Sequence, residues 1–71
     1  MFARELTNAG HVRRFTIEQD GEGWEVQVEE DETVLRRVRY TDWHRVERAL
    51  SRVTREVLAL EDTGWTTVVR R

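Results

Sequence analysis

The stretch "TDWHRVERALSRVTREVLALEDTG", residues 41–64, sets apolar side chains at Trp43, Val46, Leu50, Val53, Val57 and Leu60, at alternating spacings of three and four. On a helix of 3.6 residues per turn these positions merge into one stripe, so the spacing predicts a long helix over about 42–62. Thr41 or Asp42 is placed to cap it by accepting a backbone N–H. Gly64 supplies the left-handed residue that ends such a helix, and Trp65 can then fold back on the last turn.

Upstream the period drops to two. "HVRRFTIE", "GWEVQVEE" and "TVLRRVRY" alternate apolar and polar residues, which predicts strands over about 11–18, 23–30 and 33–41. The link "QDGE" contains Asp-Gly, a dipeptide that accepts the positive φ of a tight hairpin, and "EDE" is an acidic, solvated second link. Placing large apolar groups opposite one another pairs Ile17 with Trp24, Phe15 with Val26 and Val28 with Val34. The inner face is then Phe15, Ile17, Trp24, Val26, Val28, Val34, Val38 and Tyr40, with Arg36 a misfit. Arg14, Thr16, Glu18, Glu25, Gln27, Leu35, Arg37 and Arg39 face outward, with Glu25 across from Arg37. "TTVVRR" reads as a short fourth strand at about 66–69 or a frayed tail, and "FARELTNA" as a short helical or irregular lead-in.

Seventy-one residues make one domain with a small core. In so short a chain the helix stripe and the apolar sheet face have only each other to bury against. The expected fold is therefore α+β, a three-stranded antiparallel meander packed on one long helix. The order of lead-in helix, three strands and long helix is similar in outline to the double-stranded-RNA-binding domain. That family begins its second helix with a lysine-rich phosphate-binding cluster, whereas "YTDWHRVER" stands here, acidic and aromatic at its start.

Most function classes lose their chemistry on inspection. There is no cysteine for a disulfide or a thiolate metal site, and the only serine, Ser51, lies mid-helix. His11 precedes the first strand, and His44 falls on a different side of the helix from Asp42, so neither makes a catalytic dyad. The acidic run 29–33 lacks the ligand order of a calcium loop, and "DGEG" opens no helix and so cradles no phosphate. Trp24, Trp43 and Trp65 read as packing residues. We therefore expect no catalysis, cofactor or metal. The N-terminus shows no basic segment followed by an apolar run, and the longest apolar run is "VLAL", which points to a soluble cytoplasmic chain with no membrane partner.

One surface stands out. Twelve basic and fourteen acidic residues leave a net charge of −2, yet eight of the acids lie between Glu18 and Glu32, so the hairpin end is negative and the helix positive. Every basic residue is arginine and valine outnumbers isoleucine ten to one, a bias that GC-rich coding alone produces. At about 100° per residue, Arg45, Arg48, Arg52 and Arg55 form a ridge centred about 150° from the apolar stripe, poorly neutralised by neighbours. The expected role is a non-catalytic interaction module, binding a protein partner or a second copy through its charge dipole and the uncovered sheet edge at Leu35. The alternative is a nucleic-acid-binding accessory protein that grips phosphates with Arg45, Arg48, Arg52 and Arg55, helped by Arg37 and Arg39.

Overall fold

The computed structural model describes residues 2–69. Five strands and a helix follow in the order β1 (Phe2–Asn8), β2 (His11–Asp20), β3 (Gly23–Glu30), β4 (Thr33–Tyr40), α1 (Trp43–Asp62) and β5 (Thr66–Thr67). The fold is α+β, and its antiparallel sheet runs in the order β4-β3-β2-β1-β5. Two-residue links join the first four strands, so they can only lie side by side as an up-and-down meander. The 20 residues of α1 span about 30 Å at 1.5 Å per residue. That length carries the chain from β4 at one margin of the sheet across its inner face to β5 at the other.

The sheet has more strands than the sequence pattern predicts. "FARELTNA" forms β1, paired along its length with β2 from Phe2↔Ile17 to Asn8↔His11, instead of a helical or irregular lead-in. Its alternation is masked because Arg4 occupies an inward position between Phe2 and Leu6. Arg4 escapes burial at the end of the sheet, its guanidinium carbon 5.7 Å from the centre of the Phe2 ring. With a strand in that place, the likeness in outline to the double-stranded-RNA-binding domain fails at its first element. The C-terminal strand is shorter than expected: only Thr66 and Thr67 pair, with Thr7 and Leu6 of β1.

Register explains the remaining differences. Phe15 lies opposite Val28 and Ile17 opposite Val26, two residues away from the pairing expected from apolar matching, while Trp24 faces Gln19. A two-residue slip keeps every side chain on its face, so the inner set survives although its partners change. Between β3 and β4 a bulge after Val28 does alter a face. Val28 opposes Arg36 while Glu29 opposes Val34, which moves Val34 away from Val28 and onto the side of Glu29. Val34 is consequently exposed, and Val38, still on the inner face opposite Val26, is exposed too because it lies on the outermost strand. Arg36, the inward misfit, reaches across to α1 and donates to Glu56 at 3.0 and 3.2 Å.

The core is Leu6, Phe15, Ile17, Val26 and Val28 from the sheet, against Val46, Ala49, Val53 and Val57 of α1. Leu6 and Phe15 are completely buried. Leu50 and Leu60 pack at the margin, and Trp43, expected in the stripe, is half exposed and tilts against Trp24 with ring centres 5.2 Å apart.

Both helix ends follow local chemistry. The Asp42 carboxylate accepts from the His44 N–H at 2.9 Å. At the other end Gly64 takes φ +102°, the Trp65 N–H donates to the Leu60 carbonyl at 3.0 Å and the Gly64 N–H to Glu61 at 3.3 Å. This paired closure turns Trp65 back over the sheet. Its ring covers Arg13 at 5.3 Å, while Arg13 also donates to Glu30 at 2.6 Å.

Candidate interaction surface at strand β4 and the arginine face of α1

Among the described residues β4 ends the sheet, so one row of its backbone N–H and C=O groups has no strand there to pair with. Every residue from Thr33 to Arg39 is exposed and Tyr40 is half buried. Val34, Leu35 and Val38 are 43, 54 and 37 % exposed, an apolar content unusual for an open margin. The opposite margin, β5, is only two residues long.

The arginine ridge borders this strand. Ala49 is buried, and it lies one turn from both Arg45 and Arg52 on the same side of α1. Its burial turns that side toward β4, so the ridge does not point straight away from the sheet as the sequence suggests. Arg52 donates to the Tyr40 hydroxyl at 3.2 Å. Tyr40, Arg45, Arg48 and Arg52 line a shallow cleft of about 260 Å³. Among the described residues, Arg45, Arg48 and Arg55 have no ion-pair or hydrogen-bond partner for their side chains. Arg55 stands outside the cleft.

Arg37 and Arg39 do not join this group. They project from the other face of the sheet, where Arg37 meets Glu25 at 3.3 Å and Gln27 at 3.1 Å. The Glu25–Arg37 pair forms diagonally, since Arg39 is the direct partner of Glu25. Arg39 binds the carboxylate and the carbonyl of Asp20 at 2.5 and 2.8 Å. Of the six arginines singled out from the sequence, the fold gathers three along one cleft, and Arg52 reaches the Tyr40 hydroxyl there. Tyr40 completes the cleft; the sequence placed it on the inner face, where it packs half-buried against the core, but not beside the arginines. Its position as the last strand residue before a capped helix is the signal that could have placed it at the rim.

At the other end of β4 the charge reverses. The turn joining β3 to β4 consists of Asp31 and Glu32, next to Glu29 and Glu30. Asp31 is tied down: its carboxylate accepts from the Val12 N–H at 2.9 Å and approaches His11 Nδ1 at 2.7 Å. This hydrogen bond and the opposed charges raise the His11 pKa above its ordinary value and lower that of Asp31. His44 is strongly exposed near Glu47 at 3.5 Å, and Ser51 is exposed on α1. Among the described residues no three His, Asp or Glu side chains converge on a possible metal position. Nor is any helix there long and apolar enough to cross a membrane.

No family model, curated protein or solved structure matches this chain. Its surface chemistry alone bears on what it does.

Proposed function

We propose that this protein is a non-catalytic interaction module that receives an extended segment of a protein partner as a sixth strand along β4. The observation carrying this reading is the eight-residue open margin, with Val34, Leu35 and Val38 exposed beside unpaired backbone groups. An added strand would satisfy those groups and cover the apolar side chains together.

Charge disfavours most central registers for pairing with a second copy. In a two-fold antiparallel arrangement, centring the axis on Arg36 or Arg37 puts that arginine opposite its own copy. Centring it on Val38 puts Arg37 opposite Arg39. Like charges set directly across strands are destabilising, so these registers repel self-pairing, whereas centring on Leu35 sets Arg37 opposite Thr33 and Arg39 opposite Asp31. Nucleic acid is the second reading, supported by the unpaired Arg45 and Arg48 beside Arg52. Against it, Arg37 and Arg39 lie on the other face and already have carboxylate partners.

Amide NMR of labelled protein separates the two. An alternating valine-threonine octapeptide should shift β4 amides, persist in salt, and lose its effect when alternate peptide nitrogens are methylated. Absence of β4 shifts would sink the reading. Shifts confined to residues 45–55 with short DNA or RNA, vanishing in salt, would favour nucleic acid.

A further inference from the structure

The two ends of β4 differ in charge, and this difference bears on which strand fits. At the Thr33 end stand Glu29, Glu30, Asp31 and Glu32, of which Glu30 is paired with Arg13 and Asp31 with His11. At the Tyr40 end stand Arg45, Arg48 and Arg52 around the cleft. Of the acidic groups near that end, Asp42 caps α1, Glu47 faces His44 and Asp20 binds Arg39, while Glu22 in the turn beside Gly23 has no side-chain partner among the described residues. The first turn of α1 adds no acidic side chain, so the partial positive charge of its N-terminus is left unopposed there apart from the cap.

We infer that the cleft formed by Tyr40, Arg45, Arg48 and Arg52 is an anion seat for the acidic N-terminal end of a partner strand lying antiparallel along β4. This rests on β4 being the docking margin. Antiparallel addition continues the pairing of every other strand in the sheet and brings the partner's N-terminal end over Tyr40. A carboxylate there can take charge-assisted hydrogen bonds from Arg45 and Arg48, whose donors have no other partner among the described residues, while the Tyr40 hydroxyl offers a further donor. The opposite orientation would push the same carboxylates against Asp31 and Glu32. Direction of binding is thus written in charge, whereas backbone pairing alone would be tolerant of sequence.

Three octapeptides with a common valine-threonine body decide the matter: one with two glutamates at its N-terminus, one with two at its C-terminus, and one with glutamines at both ends. Affinity is read from β4 amide shifts, and seat occupancy from the Nε–H signals of Arg45, Arg48 and Arg52. The N-terminal glutamate peptide should bind about tenfold tighter than the glutamine peptide at low salt, the size of one or two charge-assisted hydrogen bonds. Arg45→Gln with Arg48→Gln should remove that advantage while the β4 shifts remain. Equal affinity of the two glutamate peptides, or tighter binding by the C-terminal one, overturns the seat and leaves the strand-docking margin standing. Movement of the arginine signals without β4 shifts overturns strand docking and keeps the seat. Silence at both sites overturns both.

Discussion

Ala9 and Gly10, which link β1 to β2, have φ of +50° and +84°, and Asp31 and Glu32, which link β3 to β4, have +50° and +69°. Two-residue hairpins of this kind need positive φ at both positions, a turn whose backbone follows the twist of its strands. Alanine pays for that conformation in contact between its Cβ and the backbone. Replacing Ala9 by asparagine, which tolerates the left-handed region, creates Asn-Gly at the turn. The change should stabilise the protein by about 0.5–1 kcal/mol, visible as a rise in Tm of a few degrees. The neighbouring His11–Asp31 contact gives stability a pH dependence. A raised His11 pKa contributes fully below its ordinary value of 6.5 and is lost as pH rises through the folded value. A lowered Asp31 pKa contributes above 3.8 and is lost as pH falls through its folded value. The contact is therefore fully present between 3.8 and 6.5. His11→Gln should remove the decline in denaturation midpoint on the alkaline side of that window, and an NMR titration of His11 should place its midpoint above 6.5.

Helix α1 was the most legible element because its spacing, cap and stop agree, and the outcome is a cap at Asp42 and a stop at Gly64. Val53→Asp, which would set a charge among fully buried neighbours, should unfold the domain at a cost of several kcal/mol, whereas Arg52→Gln should change stability by less than about 0.5 kcal/mol. Circular dichroism melts distinguish the two. Strands were harder to read wherever a polar side chain sat at an inward position. Arg4 concealed β1 and with it Leu6, a completely buried core residue, and Arg36 made β4 look like a core strand with one fault. Neither is a fault in the structure, since each lies at a rim where a guanidinium reaches solvent, a ring or a carboxylate. The pairing partners were not legible either, because matching bulky residues scores a register and its two-residue neighbour almost equally. Close approach between elements was likewise invisible. A Cβ on Gly23 would stand 2.8 Å from the Tyr40 carbonyl oxygen. Gly23→Ala should accordingly push the end of β4 outward, cost about 1–3 kcal/mol in chemical denaturation, and shift the amides of Arg39 and Tyr40 most.

Across the whole molecule, charge and exposure sort into two margins of one sheet. The clustering of Arg45, Arg48 and Arg52 on one helix side and the outward placement of Arg37 and Arg39 could be seen in the sequence, but the approach of that cluster to Tyr40 depended on how α1 is rotated over the sheet. If arginine repulsion keeps copies of β4 apart, Arg36→Thr with Arg37→Thr should promote self-association. Sedimentation would then show a concentration-dependent dimer where the parent chain stays monomeric. The distant margin has its own significance. Phe2 lies in β1, and Val68 donates its N–H to Glu5 of the same strand at 2.8 Å, so both described ends of the chain emerge together there, three strands from β4. A tether fixed at either end would therefore hold the molecule like a plug gripped from behind, with β4 turned away from the point of attachment and unobstructed.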